Sequence, residues 1–352
     1  MIEVDGSLME GGGQLLRMAT AYSALLGEPI HVTRIREKRG QPGLKPQHLT
    51  TVRAVAALCL ADVKGLAAGS REVEFAPGKI RGGSYEFDIG TAGSISLLLQ
   101  CVAPVAAFAD APVRLKVIGG TAVRWSPTIP VVENVVWAAL RNMGFRGWLR
   151  VLREGYHPRG GGVVETEIEP VSGLGPLNGD RSAMSLVRGL STCGHLPRTV
   201  ADRQARAAEA QLRDAGIRTE IEVRFPSSEA DSLSPGSALS LWGVGDGFVG
   251  SDSLGERGKP AERVGVEAAG RIIRELLAHA YVDLHTADNL VLPCSLASGT
   301  YTFTTSAITL HTLTAAELAR RIAGVKVVVE GEEGKPGRVT VEGRGIINPN
   351  LR

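Results

Sequence analysis

Apolar positions along this chain alternate with period two in short runs and recur at helical spacing between them. Ile2–Asp5 alternates like a strand and leads into Glu10-Gly11-Gly12-Gly13. Gln14–Leu26 then carries apolar residues at Leu15, Leu16, Met18, Ala19 and Tyr22, the spacing of a helix. Ile30–Ile35 alternates again, and beyond a basic loop punctuated by Gly and Pro, His48–Leu60 predicts a second helix. The order then repeats. Tyr85–Ile89 is strand-like, Gly90 to Ser94 forms a turn, and Ile95–Phe108 reads as a buried helix. Val113–Ile118 is a strand, Ile129–Met143 an amphipathic helix, and the alternating runs Trp148–Arg153 and Val163–Ile168 flank a second triple glycine, Gly160-Gly161-Gly162.

A third copy reads as split. Its closing half is a strand at Tyr301–Thr305, a helix from Ala315 to Ile322, and paired strands Lys326–Glu330 and Arg338–Glu342. Between the second and third copies lie a long Arg-, Ala- and Glu-rich helix at Arg203–Ala215, a strand at Thr219–Val223 and a Ser/Pro-rich loop, Pro226–Pro235. The expectation is an α/β protein of three repeated βαβαββ units with a smaller α/β domain inserted in the third. Residues 1–182 and 278–352 would form the large domain, and residues 183–277 the inserted one.

Composition changes this picture little. A length of 352 residues exceeds the size at which one core stops growing, in agreement with two domains. With 43% hydrophobic and 22% charged residues there is no case for disorder, and 5% aromatics exclude a surface built mainly on base stacking. A formal charge of +2 excludes a bulk polyanion binder. Of the 39 basic residues 31 are Arg, which suits forked contacts to phosphate but equally reflects genomic composition. Cys59, Cys101, Cys193 and Cys294 lie far apart in apolar surroundings and read as buried free thiols. No basic region followed by an apolar stretch opens the sequence, and Ile95–Ala109 is too short for a transmembrane helix. No membrane partner is expected, and a cytoplasmic location follows by elimination.

Four strings could carry chemistry. Glu10-Gly11-Gly12-Gly13-Gln14 stands between a strand and a helix, where glycines let backbone N–H groups approach an anion. A plain strand-to-helix turn would look the same. Glu10 would repel a phosphate unless a divalent cation lay between them, or it is simply a charge favoured near a helix start. No P-loop pattern exists in the chain, and this turn lacks the G-x-G-x-x-G spacing. The segment from Arg34 to Lys45 holds five positive charges and one negative, either a loop for nucleic-acid phosphates or an ordinary exposed one. In Thr309-Leu310-His311-Thr312-Leu313-Thr314, Thr314 and Glu317 have capping-box spacing, which predicts a helix beginning just after His311. An imidazole there has its cation disfavoured, leaving a neutral nucleophile or electrophile, although a strand-end histidine without chemistry fits too. His285-Thr286-Ala287-Asp288-Asn289 is polar and uninformative alone.

Together these strings resemble the RNA 3′-terminal phosphate cyclase family nearly end to end. The resemblance is carried by Asp5-Gly6-Ser7, Glu10 through Arg17, Pro42-Gly43-Leu44 with Gln47-His48-Leu49, and Thr91-Ala92-Gly93-Ser94 leading to Gln100. Gly155 through Gly162, His285 through Asn289, and His311-Thr312 complete it. It implies the three-unit fold with its insertion, and ATP and an RNA 3′-phosphate end as substrates, with Mg²⁺ or Mn²⁺ as cofactor. By resemblance His311 is the histidine that takes AMP from ATP, and Gln100, Pro127 and the segment His285, Thr286, Ala287, Asp288, Asn289 line the ATP site. Arg17, Arg36, Arg39, Gln47 and His48 correspond to polar residues around the phosphates and the RNA end, and Glu10 to a metal-contacting carboxylate. The implied reaction passes AMP from His311 to the RNA 3′-phosphate, and the adjacent 2′-OH then closes a 2′,3′-cyclic phosphate. A homodimer is left open.

Glu154, Asn289 and Ala122 depart from the family pattern, all away from the nucleophile. Two other readings remain: a non-catalytic cyclase-like protein of ribosome assembly, which would lack the nucleophilic histidine, and an enolpyruvyl transferase of similar repeats, which would need neither His311 nor the basic loop.

Overall fold

The computed structural model describes residues 1–226 and 231–351, so residues 227–230 of the Ser/Pro-rich loop lie outside the described residues. The first unit comprises β1 (Ile2–Asp5), α1 (Gly13–Leu26), β2 (Ile30–Thr33), α2 (Pro46–Cys59), β3 (Asp62–Lys64) and β4 (Val73–Ala76). Its sheet runs β1-β2-β4-β3, with β1 parallel to β2 and β4 antiparallel to both neighbours. The second unit repeats that order. β5 (Gly83–Asp88), α3 (Ile95–Ala106) and β6 (Val113–Gly119) precede α4 (Ile129–Val131), a π-type turn over Val132–Val136 and α5 (Trp137–Asn142). β7 (Arg146–Arg153) and β8 (Gly162–Glu169) complete the sheet β5-β6-β8-β7. Alternation decides which side faces inward: along β8, Val164, Thr166 and Ile168 are buried while their neighbours are half-buried.

The next segment builds a sheet of its own. β9 (Ala183–Gly194), α6 (Thr199–Asp214), β10 (Thr219–Arg224), β11 (Gly236–Asp246), β12 (Gly250–Leu254) and α7 (Ala261–Leu277) give the order β10-β9-β11-β12. Val187, Leu212, Leu241, Val264 and Ile272 form a buried cluster separate from the main core. The chain then returns to the third unit through α8 (Thr286–Leu296), β13 (Ser298–Thr305), α9 (Leu310–Leu318) with a π-type turn at Ala319–Ala323, β14 (Lys326–Glu330) and β15 (Gly337–Arg344). Its sheet runs β13-β15-β14. The place of a first strand is taken by two single rungs, Gly179 opposite Phe303 and Val282 opposite Thr305, both parallel. Helices of the three units meet in the middle, where α1 packs on α2, α3 and α9. Among the described residues no helix is long and apolar enough to cross a membrane.

Several expected elements take a different form. The strand expected to Ile35 stops at Thr33, because Arg34 (φ 48°) and Arg36 (φ 55°) adopt left-handed backbone that cannot continue a ladder. The single helix expected over Ile129–Met143 is interrupted by the π-type turn. The sequence pattern gives no ranges for β9, β11, β12, α7 and α8, nor for β3 and β4, the closing pair that the repeated unit calls for.

Candidate active site

A cavity of about 760 Å³ opens where the three units meet the segment Ala183–Leu277, a size that suits a small ligand. Helix faces build its floor. α3 is buried along its length except at Leu97 and Gln100, one turn apart, and both line the cavity. Ser94 caps that helix, its Oγ accepting from Leu97 N at 3.1 Å. α8 is likewise buried except at Asp288 and Asn289, which line the cavity with His285 and Thr286 just before them. Pro127 borders it too, and Ser96 Oγ donates to the Pro127 carbonyl at 2.6 Å. Ala287 is fully buried, so any part it plays at the cavity falls to its backbone.

His311 lies inside the first turn of α9. The N-cap is Thr309, whose Oγ1 accepts from Thr312 N at 3.1 Å, and the expected Thr314–Glu317 box does not form. Thr314 Oγ1 instead donates to Leu310 O at 2.7 Å, and Glu317 pairs with Arg320 (3.2 Å) and Arg321 (2.6 Å). The helix therefore starts a residue before the histidine rather than after it.

Gln14, in the first turn of α1, fixes the proton on the His311 ring. Its Nε2 donates to Asp288 Oδ2 at 2.6 Å and to the His311 carbonyl at 3.2 Å. With its NH₂ group directed at those two oxygens, Gln14 must present Oε1 to His311 Nδ1, 2.9 Å away. An amide oxygen only accepts, so Nδ1 carries the hydrogen and Nε2 keeps its lone pair. Burial holds the His311 pKa below the ordinary 6.5, and the positive charge of Arg17 and the neighbouring His285 and Arg39 push the same way. The ring is neutral at pH 7, it lines the cavity, and among the described residues Nε2 has no hydrogen-bond partner.

Asp288 is the counterpart. Burial pushes its carboxyl up to about 7, against the opposing pull of Arg17. Nothing in the sequence pattern singles out the Gln14 contact, which joins residues 297 apart in the chain.

A second group of polar side chains converges on the start of α1. Its N-cap, Gly12, has no side chain to cap the helix, so the leading N–H groups are free of a side-chain cap. A Cβ added to Gly13 would overlap His48 Nε2 and lie 3.2 Å from Arg17 Nη1. One added to Gly12 would overlap the Glu10 carboxylate and lie 2.7 Å from Arg39 Nη2. Glu10 and Arg39 form an ion pair. His48 Nδ1 accepts from Lys45 N at 3.2 Å. Burial, then Arg17, Arg36 and Lys45, lower its pKa to about 3. His48 is thus a neutral ring with Nε2–H aimed at the turn. Among the described residues the Arg17 guanidinium has no hydrogen bond or ion pair, and it reaches the cavity wall.

Other expected residues stand further off. Arg36 Nη1 donates to the carbonyls of Gln41 (2.8 Å) and Gly43 (2.9 Å), so its guanidinium organises its own loop. Gln47 Oε1 accepts from Ser94 N at 2.8 Å and ties α2 to the turn before α3. Neither lines the cavity. The Gly155–Gly162 string does not line it either, but docks the segment Ala183–Leu277. Tyr156 is buried with its hydroxyl 3.1 Å from Thr192 Oγ1, and Arg159 N donates to Ser234 Oγ at 3.2 Å. Glu154 lies at the root of that string, hydrogen-bonded by Thr121 Oγ1, and burial raises its pKa. Ala122 packs on Tyr156, while Asn289 Nδ2 donates to His285 O at 2.7 Å. Asp283 carries no signal in the sequence pattern either. It accepts from His285 N (2.8 Å), Thr286 N (2.7 Å) and Gly250 N (3.0 Å), pinning the start of α8 to β12.

A neutral imidazole with a bare nitrogen, set in a cavity beside an uncapped helix start, Arg17 and His48, is an arrangement that would suit nucleophilic transfer of a phosphate-bearing group. Comparison with known proteins gives the family. The family model for RNA 3′-terminal phosphate cyclase matches residues 8–329. A protein of Methanopyrus kandleri named RNA 3′-terminal phosphate cyclase is 45% identical over 98% of this chain and 99% of its own. Proteins of the same name from Methanosarcina mazei (42% identical, 95% and 98% covered) and Pyrobaculum aerophilum (41%, 98% and 98%) match likewise. The chain belongs to the RNA 3′-terminal phosphate cyclase family.

Proposed function

We propose that this protein is an ATP-dependent RNA 3′-phosphate cyclase that works through an adenylylated His311. The observation that carries the reading is the Gln14–His311 hydrogen bond, which leaves Nε2 unprotonated in the cavity. Nε2 attacks the α-phosphorus of ATP, forming a P–N bond as pyrophosphate leaves. An oxygen of the RNA 3′-phosphate then attacks that phosphorus, the P–N bond breaks, and the ring regains its lone pair. The neighbouring 2′-OH attacks the activated terminal phosphorus, gives up its proton to solvent, and the anhydride P–O bond breaks to release AMP. Splitting the reaction this way replaces one hard displacement by easier ones, the last of them intramolecular.

Attack on the α-phosphorus in line places both the departing pyrophosphate and the arriving RNA phosphate opposite His311. Arg17, His48 Nε2–H and the leading N–H groups of α1 are the donors that suit that charge. Arg39 fits the same role once it exchanges Glu10 for a phosphate oxygen. Gln100, Pro127 and the residues from His285 to Asn289 would hold the nucleotide, and Arg36 and Gln47 would act by holding the loops in place.

Among the described residues no three His, Cys, Asp or Glu side chains are grouped to hold a metal. In this reading Glu10, now paired with Arg39, would contact a divalent cation, Mg²⁺ or Mn²⁺, that arrives with the nucleotide phosphates, where the ion would offset their charge. Residues 183–277 form the inserted domain in this reading, supported by their own sheet and core. The four buried free thiols suit a cytoplasmic enzyme of RNA processing.

Incubation with ATP labelled in the α-phosphate, without RNA, tests the reading. The protein should acquire acid-labile, alkali-stable label, and His311→Ala should acquire none while keeping its thermal midpoint. Undiminished labelling of His311→Ala would remove that residue from the mechanism.

A further inference from the structure

Trp125 is the most exposed large apolar side chain among the described residues, at 91% of its full accessible area, and it borders the cavity. Its backbone is left-handed (φ 62°), a conformation costly for a bulky side chain and retained only where the surroundings impose it. They do so on both sides. Arg124 Nη2 pairs with Glu256 Oε2 at 2.6 Å, Ser126 Oγ donates to Val123 O at 3.0 Å, and Thr128 N donates to Asp252 Oδ2 at 2.8 Å. The loop after β6 is therefore fastened to the inserted segment while its one aromatic ring is turned outward. Held there, the ring offers a flat apolar face at the edge of the cavity, which a partner could cover.

We propose that Trp125 is the stacking platform for a base at the 3′ end of the RNA substrate, an inference that rests on the cyclase reading. The alternative partner is the adenine of ATP, and exposure decides against it. The inner wall already offers half-buried or buried apolar surfaces in Leu97, Pro127 and Val131, the kind that encloses a small ligand. A ring shielded by almost nothing stands outside those walls, at the rim of the cavity rather than within it. Stacking is tolerant of base identity, so this contact would hold any RNA end in register with His311 without reading its sequence. Scarcity of aromatics elsewhere agrees with a single platform rather than a stacking surface.

The two half-reactions separate the partners. In Trp125→Ala the KM for an RNA oligonucleotide with a 3′-phosphate should rise on the order of tenfold. The KM for ATP in RNA-free labelling and the thermal midpoint should stay at wild-type values. Trp125→Phe should restore most of the RNA affinity. An oligonucleotide abasic at its last two positions should bind wild type and Trp125→Ala alike. A raised KM for ATP would assign the ring to adenine and overturn the proposal, as would an unchanged KM for RNA. If wild type fails to label at all, it is the cyclase reading that fails. Quenching of tryptophan fluorescence by the 3′-phosphate RNA, present in wild type and reduced in Trp125→Phe, then still tests the platform, and equal quenching in both would overturn it.

Discussion

At Gly11-Gly12-Gly13 the space that side chains would fill is taken by Lys38, Glu10, Arg39, His48 and Arg17; at Gly160-Gly161-Gly162 it is taken by the backbone of Thr91 and Gly155 and by the side chain of Leu233. Each string ends where a regular element begins, α1 or β8, and as strings they are indistinguishable. The first leaves room for polar heads to gather at a helix start, where an anion is favoured. The second lets two stretches of main chain and the inserted segment approach closely, and its Gly160 and Gly161 need left-handed backbone (φ 66° and 68°). Glycine removes volume, and the group that enters the vacated volume decides whether a turn binds or packs.

Adding one methyl group to each turn breaks the comparison most directly. In Gly13→Ala the new Cβ displaces His48 and crowds Arg17, so RNA-free labelling by ATP should fall by about 100-fold or more, as when a preorganised donor is lost. The thermal midpoint should move by only a few degrees, since alanine suits a helix start, and intact labelling would show that the turn is not part of the phosphate site. Gly162→Ala should do the reverse. Its Cβ would lie 2.6 Å from Gly155 N and 2.8 Å from Thr121 Cγ2, an overpacking worth roughly 1–3 kcal/mol. Thermal unfolding should register that loss while labelling per folded molecule stays near wild type.

The smallest effect expected is on pH dependence, and it belongs to the first turn alone. Because the His311 pKa is lowered, the neutral ring persists below pH 6.5, and labelling should decline only as pH falls through that lowered value. Gln14→Glu sets a carboxylate against Nδ1, favours the imidazolium and should move the acid limb to higher pH. A limb that stays in place would mean that the ring does not titrate in the labelling step.

Much of the fold could be read from the chain because the elements of the first two units are amphipathic or bounded by glycine. α1 ends at Gly27 in a left-handed cap, for example. Where reading failed, a physical cause is visible. α7 contains Gly265, which looks like a breaker but lets α6 approach to the backbone of Gln204. α8 is buried on nearly all sides and carries Pro293, so it shows no polar face. In the candidate site, the sequence motifs single out His311, Arg17 and Asp288, but they misplace the N-cap because Thr309, Thr312 and Thr314 offer the same group at short intervals. Gln14 stands in the first glycine string, but its role could not be read there: it exists only through contacts with α8 and α9, far along the chain.

The rungs at Gly179 and Val282 have a kinetic consequence. They face Phe303 and Thr305, two residues apart on β13, so the chain leaves the third sheet at one rung and returns at the next. Completing that edge brings together the two ends of the segment Ala183–Leu277, a long-range pairing that loop-closure entropy delays. β13 and β15 can zip early from nearby chain, while the outer rungs form last. Two rungs of main chain on one edge thus hold both ends of the segment Ala183–Leu277 to the unit that carries His311.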